Sequence, residues 1–161
     1  MFRGFFFFAE IDINNAEEVV AFCRRENISL IIVGPEGPLA DGFVDQIDNR
    51  VPVFGPIKAG AMLEASKIFS KTFMRDFGLP TARFAEFEDV ENVKAFIEKC
   101  DWQGIVVKAD GLAAGKGVVV AEDKEAAKAA AEQMLGGQFG SSSSRILLEE
   151  RLHGYEVSVR T

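Results

Sequence analysis

Short apolar runs alternate along this chain with segments of helical periodicity, and that order restricts the folds open to it. The apolar runs that predict strands are 28–33, 51–54, 105–108, 118–121 and 146–150. Strands that alternate with helices predict right-handed crossovers and a parallel sheet in the first part of the chain. The length of 161 residues suits one domain or two small ones, and 48% hydrophobic residues are enough to build a core.

The first sixty residues contain three predicted strands and two predicted helices. Residues 7–13 alternate apolar and polar side chains, as a strand does. Asn15, followed three residues later by Glu18, predicts the start of a helix. The strand 28–33 runs into a Gly-Pro loop, and a second helix over 39–48 leads to the strand 51–54. We therefore expect a partial parallel-sheet domain over residues 1–60.

Beyond residue 60 the pattern changes to long helices and glycine-rich turns. Residues 61–80 are predicted to be bridging helices, and an α+β lobe is predicted over 81–161. Its predicted elements are strand 82–87, helix 89–100, strand 105–108, strand 118–121, helix 124–135, strand 146–150 and strand 156–160. The predicted fold class is α/β, with the partial parallel-sheet domain first and the α+β lobe second.

Charge and composition exclude several classes of partner. A net charge of −7 and a sequence pI near 4.8 do not fit a nucleic-acid-binding or membrane-surface protein. The Phe-rich start, 5–8, is too short for a membrane span and lacks a signal-peptide cleavage pattern, although it predicts some self-association. Cys23 and Cys100 lie in predicted helices without metal-ligand spacing, so we expect buried thiols and a reducing cytoplasm.

A segment rich in glycine and lysine carries the strongest chemical signal. Lys108, Gly111, Gly115, Lys116 and Gly117 fall within ten residues, between two predicted strands of an acidic protein. Backbone amides and ammonium groups in such a loop favour phosphate binding. The alternative is an ordinary hairpin with a solvated lysine. That alternative accounts for Lys116, whereas an ammonium group on the apolar strand at Lys108 needs an anionic partner.

Two familiar phosphate-binding motifs are excluded at this segment. Gly111 and Gly115 are separated by three residues rather than the four of a Walker loop, and Lys116 is followed by glycine rather than serine or threonine. No G-x-G-x-x-G follows the first strands, which excludes a dinucleotide fingerprint.

Five ordered motifs give the chain a specific resemblance. They are VGPEGPL at 33–39, FGP at 54–56, LEASK at 63–67 with Phe69 and Lys71, VVKADGLAAGKGVVV at 106–120, and LEERL at 148–152 with Gly154, Glu156 and Ser158. In this order they resemble the phosphoribosylamine–glycine ligase family of the ATP-grasp superfamily, over about residue 9 to the end. The resemblance predicts a pre-ATP-grasp domain followed by an incomplete ATP-grasp lobe.

The resemblance implies how these residues meet ATP. Lys67 and Lys108 would approach the phosphates, and the loop with Gly111, Gly115, Lys116 and Gly117 would close over them. The segment with Glu149, Glu150 and Leu152 would present backbone groups to the adenine edge, and Glu156 would take the ribose hydroxyls. Gly34, Pro35 and Glu36 would face phosphoribosylamine. No catalytic side chain is assigned, because the family's reaction needs no covalent nucleophile.

Several of these residues also have ordinary structural interpretations. Lys67 and Lys71 fit the polar face of a helix striped with phenylalanine. Glu149 and Glu150 fit a solvated strand end, and Gly34, Pro35 and Glu36 fit a stiff turn. Glu156 lies between Val157 and Val159, so strand alternation would place it opposite those apolar neighbours.

The implied function is ATP-dependent ligation of glycine to phosphoribosylamine through glycyl phosphate, in de novo purine synthesis, with ATP and Mg²⁺ as cofactors. The chain resembles an internal fragment of the family: its opening G-x-G-G-R-E-H-type turn is absent. We expect the magnesium ligands in the family's C-terminal half, beyond Thr161, and therefore expect no activity from this chain alone. The rival hypotheses are another ATP-grasp ligase and a catalytically dead nucleotide-binding fragment.

Overall fold

The computed structural model describes residues 8–112, 117–137, 144–155 and 157–159. The chain divides into two compact units, Met1–Met62 and Leu63–Thr161. Among the described residues, the helices are all too short or too polar to cross a lipid bilayer.

The first unit begins with an amphipathic helix whose start the sequence predicts. Helix α1 spans Ala16–Arg25, and the Asn15 side chain accepts a hydrogen bond from the backbone N–H of Glu18. Its buried residues include Val19, Val20 and Cys23, which share one core cluster. Burial raises the pKa of the Cys23 thiol, as expected for a buried cysteine.

A two-stranded parallel sheet confirms the predicted strand arrangement. Strand β1 (Ile31–Ile32) pairs with β2 (Val53–Phe54), with Ile31 opposite Val53. The single helix predicted over 39–48 is wrong: α2 (Glu36–Asp41) and α3 (Phe43–Ile47) are separate. Gly42, at φ +90, ends the first of them in the left-handed region, which stops α-helical hydrogen bonding there.

Two strands predicted for this unit are absent or shorter than predicted. Residues 8–13, the described part of the predicted strand 7–13, form no strand, and only Ile31 and Ile32 of the run 28–33 do. Ile11 still packs against the core cluster of α1 and α3. Apolar alternation therefore marks the buried side chains correctly, but a strand also needs a neighbour to pair with. Helix α4 (Lys58–Ala65) follows β2.

The second unit is an antiparallel sheet with helices, as predicted for the ATP-grasp lobe. Its elements are α5 (Lys67–Asp76), β3 (Phe84–Phe87), α6 (Val90–Lys99), β4 (Ile105–Ala109), β5 (Val118–Ala121), α7 (Lys124–Leu135) and β6 (Ile146–Glu150). The sheet order is β3-β6-β4-β5, with every pair antiparallel. The strand β6, the last in chain order among the described residues, thus lies between β3 and β4 in the sheet.

One face of this sheet is covered by two helices. Ile105, Val107 and Ala109 of β4 are buried in a cluster with residues of α6 and α7. Both helices start where the sequence predicts, because the side chains of Asp89 and Asp123 accept hydrogen bonds from the third residue after each. The predicted strand 156–160 is not formed at residues 157–159, its described part.

Candidate functional site

Two strands of the second unit place opposite charges side by side. Side chains alternate along β4 and β6, so Lys108 and Glu149 lie on the sheet face turned away from α6 and α7. Val106 is opposite Glu149 in the register, which makes Lys108 a diagonal neighbour. Lys108 Nζ lies 2.7 Å from Glu149 Oε1. The anionic partner that the sequence demanded for Lys108 is therefore Glu149 in this structure.

The same carboxylate binds a second lysine, from α5. Lys71 Nζ lies 3.1 Å from Glu149 Oε2. The side chains of Lys71, Glu149 and Lys108 are only 12%, 10% and 25% exposed. Two ammonium groups share one carboxylate here, so the Lys71–Glu149–Lys108 cluster carries one excess positive charge where solvent screening is reduced. A bound anion would balance that charge.

Lys67 holds a third ammonium group near the start of the glycine-rich segment. It is the first residue of α5, and its Nζ donates a hydrogen bond to the Gly111 carbonyl at 3.2 Å. Lys71 follows four residues later, on the same face of the helix. The alternative of a solvated polar face does not describe these lysines, because both are partly buried and bonded within the unit.

The two predicted glutamates of β6 have different surroundings. Glu149 is buried, with 8% of the whole residue exposed, so the alternative of a solvated strand end does not describe it. Glu150 forms a two-pronged ion pair with Arg83, at 2.8 and 2.9 Å. The hydrogen bonds from Arg83 lower the pKa of Glu150. The Glu150 side chain is thus engaged with a structural partner, whereas Glu149 lies within the lysine cluster.

The glycine-rich segment is described only at its ends. Gly111 accepts the bond from Lys67, and the carbonyl of buried Gly117 accepts one from the Ala109 N–H at 2.8 Å. Gly115, Lys116 and also Glu156 lie outside the described residues. Leu152, beyond the end of β6, is 69% exposed.

The residues predicted to face phosphoribosylamine belong to the first unit. Gly34, Pro35 and Glu36 are all exposed, and Pro35 precedes the first residue of α2. Gly34 and Pro35 also line a cleft of about 170 Å³ along β1. An exposed Glu36 at a helix start fits both interpretations of this loop that the sequence left open.

Asp110, which bonds the start of α5 and the residue before β6 in the second unit, was not predicted as a site residue from the sequence. Asp110 is buried, follows β4 directly, and accepts hydrogen bonds from Ser66 and Arg145. Its position between an apolar strand and Gly111 was an available signal, since a buried carboxylate there needs partners. Lys71 accompanies the LEASK motif, but its four-residue spacing from Lys67 was not used to predict that both lysines meet phosphate.

The acidic side chains near the lysine cluster are few among the described residues. Across residues 8–112, 117–137, 144–155 and 157–159, no three His, Cys, Asp or Glu side chains are grouped to hold a metal ion. The clustered side chains are instead mostly cationic, which fits phosphate oxygens rather than Mg²⁺.

Comparison with known proteins identifies the family. Residues 65–161 match the phosphoribosylglycinamide synthetase ATP-grasp (A) domain, and residues 7–64 match the N domain of the same enzyme. The chain belongs to the phosphoribosylglycinamide synthetase family. The residues that hold the lysine cluster all fall within its ATP-grasp (A) domain.

Individual members of the phosphoribosylglycinamide synthetase family are similar to this chain in sequence and in structure. The chain is 42% identical to phosphoribosylamine–glycine ligase of Clostridium acetobutylicum over 92% of its own length and 36% of the relative's. It is 48% identical to the Allochromatium vinosum ligase, over 87% and 33%. The crystal structure of the Thermotoga maritima ligase superimposes with a TM-score of 0.64 and 33% identity, over 78% of this chain and 30% of that one. The chain thus spans about a third of these relatives' length.

Proposed function

We propose that the second unit binds ATP and contributes that site to an ATP-dependent ligase that joins glycine to phosphoribosylamine. The observation that carries the proposal is the Lys71–Glu149–Lys108 cluster, whose excess positive charge lies beside Lys67 and the ends of the glycine-rich segment. The triphosphate is the part of ATP that complements such a cluster. Family membership supports the choice of ATP over other polyanions.

In this proposal the lysines act on the phosphates. Lys67, Lys71 and Lys108 neutralise phosphate charge, and the amides near Gly111 and Gly117 approach the phosphate oxygens, together with Gly115 and Lys116. The backbone of Glu149 and Glu150 already pairs within a central strand. Adenine is therefore met beyond the strand end, near Leu152, with Glu156 on the ribose.

The proposed reaction proceeds in two displacements. The glycine carboxylate attacks the γ-phosphorus of ATP, which gives glycyl phosphate and ADP. The phosphoribosylamine nitrogen then attacks the glycyl carbonyl carbon, phosphate leaves, and the amide forms. Catalysis of this kind consists mainly of positioning and charge neutralisation. Mg²⁺, when bound, would supply further neutralisation of phosphate. Gly34, Pro35 and Glu36 are proposed to face the phosphoribosylamine.

Titration calorimetry on the 161-residue chain tests the nucleotide part of the proposal. ATP and adenosine are compared at low and moderate salt, after circular dichroism has shown the sample to be folded. We expect ATP to bind at least about tenfold more tightly than adenosine, with the difference shrinking as salt screens the lysines. Equal affinity for both ligands, or no ATP-dependent heat from folded protein, would overturn the proposal.

A further inference from the structure

Both carboxylate oxygens and both backbone polar groups of Asp110 form hydrogen bonds. Its Oδ1 accepts from Ser66 Oγ and from the Ile68 N–H, both at 2.8 Å, and its Oδ2 accepts from Arg145 Nη2 at 2.7 Å. Its backbone N–H donates to the Arg145 carbonyl at 3.1 Å, and its carbonyl accepts from the Lys67 N–H at 3.2 Å. The residue is 7% exposed.

These bonds complete the N-terminus of α5. The first N–H groups of a helix have no partners within it. Here the Lys67 and Ile68 N–H groups donate to Asp110, and the Phe69 N–H donates to the Ser66 side chain. A carboxylate at this end also interacts favourably with the helix dipole. Asp110 therefore determines where α5 begins relative to the sheet.

Asp110 also joins the three elements that carry the charged residues of the site. It lies directly after β4, which carries Lys108, and binds the start of α5, which carries Lys67 and Lys71. Through Arg145, the residue before β6, it holds the strand that carries Glu149. Asp110 thus contacts or adjoins all three elements that carry the charged side chains of the site, which are Lys67, Lys71, Lys108 and Glu149.

We propose that Asp110 is a positioning residue for phosphate binding: it sets the lysines of α5 against Lys108 and so determines the phosphate-dependent part of ATP affinity. The inference rests on the proposed function and adds to it a residue that does not touch the nucleotide. A helix anchored at its first turn moves as a rigid body, so a shift at Ser66 displaces Lys67 and Lys71 together. A purely structural Asp110 would instead affect stability without changing ligand preference.

The test compares Asp110→Asn with the matched variant Asp123→Asn. Asp123 also accepts a hydrogen bond from a helix N–H, that of Ala126 at 2.8 Å, but as the N-cap residue of α7 itself, whereas Asp110 reaches the start of α5 from the end of β4. The Oδ1 of asparagine can accept the same N–H bond as that of aspartate, so both substitutions keep an acceptor at a helix start and remove a charge. Only the change at Asp110 turns an amide group towards Arg145. Calorimetry gives the ratio of adenosine to ATP dissociation constants, at a temperature where both variants are folded.

Hydrogen exchange at the Lys67 and Ile68 amides is measured on the same samples. For Asp110→Asn we expect the ratio of dissociation constants to fall by about tenfold and exchange at both amides to accelerate. Asp123→Asn should leave both quantities at the parent values. If Asp110→Asn does not fold, Ser66→Ala is judged by the same criteria, since it removes one donor to Asp110 and a cap.

The outcomes separate this inference from the proposed function. An unchanged ratio in the Asp110 variant, or an equal fall in the Asp123 control, would overturn the positioning role while the parent still binds ATP. No preference for ATP over adenosine in the parent chain would overturn the proposed function, and the positioning role with it.

Discussion

Lys108 Nζ and Glu149 Oε1 lie 2.7 Å apart, diagonally across β4 and β6, on the sheet face that α6 and α7 leave uncovered. Lys71 reaches the other oxygen of the same carboxylate. Glu149 thus neutralises one of two neighbouring ammonium groups and leaves the second for an anionic ligand. This charge balance predicts that substituting Glu149 and substituting Lys108 have different effects on stability and on ATP affinity.

Removing the acid should destabilise the second unit. Glu149→Gln leaves two partly buried ammonium groups without a counter-charge, and we expect the free energy of unfolding to fall by about 2 kcal/mol. Urea denaturation measures this change. The control is Glu98→Gln. The Glu98 side chain is 66% exposed, and its partner Lys128 keeps Glu125 as a second acid, so we expect only a slight change in stability. Equal losses in the two variants would contradict the special role of Glu149.

Removing one base should spare the fold and weaken ATP binding. Lys108→Met places an apolar side chain on an apolar strand, and Glu149 keeps Lys71 as its partner. We expect ATP affinity to fall by about tenfold to a hundredfold with adenosine affinity unchanged, as for the loss of one charge-assisted contact. Calorimetry measures both affinities for Lys108→Met and for the control variant Lys94→Met. Lys94 lies on α6 and pairs with Glu132. A similar loss for both ligands would make Lys108 a structural residue.

The Arg83–Glu150 ion pair should appear in the pH dependence of stability. Arg83 lowers the pKa of Glu150 in the folded protein below its ordinary value. The stabilisation is therefore present above the unfolded pKa, about 4.3, and is lost as pH falls through the lower folded value. We expect the difference in melting temperature between the parent and Glu150→Gln to be constant from about pH 5 to 7 and to shrink below about pH 4. A difference that persisted at pH 2 would contradict this.

The break between α2 and α3 can be tested at Gly42. Alanine there would adopt a left-handed conformation, and its Cβ would meet Lys58 Cδ at 3.3 Å. We expect Gly42→Ala to lower the free energy of unfolding by about 1 to 2 kcal/mol. Gly154→Ala, at a position without a left-handed φ and with no atom beyond its chain neighbours within 4 Å of the added methyl group, should be neutral or slightly stabilising. A stabilising Gly42→Ala would show that the two helices can join.

The sequence by itself determined the local elements of this protein. Helices α1, α6 and α7 start after Asn15, Asp89 and Asp123, because a short polar side chain can bond the N–H groups just ahead of it without help from distant residues. The apolar runs at β4 and β6 likewise predicted buried strands. The position of Lys108 on an apolar strand also predicted an anionic partner, which is Glu149.

Only the tertiary structure decided which elements are neighbours. The order β3-β6-β4-β5 is not the order of the chain, and it is what brings Glu149 to Lys108 and Lys71. The partners of Asp110 likewise come from the start of α5 and the start of β6. Local periodicity records which side chains face a core, but it holds no information about the partner across it, because register and helix docking depend on contacts between distant segments. The same limit explains residues 8–13, whose alternation predicted a strand that has no partner strand among the described residues.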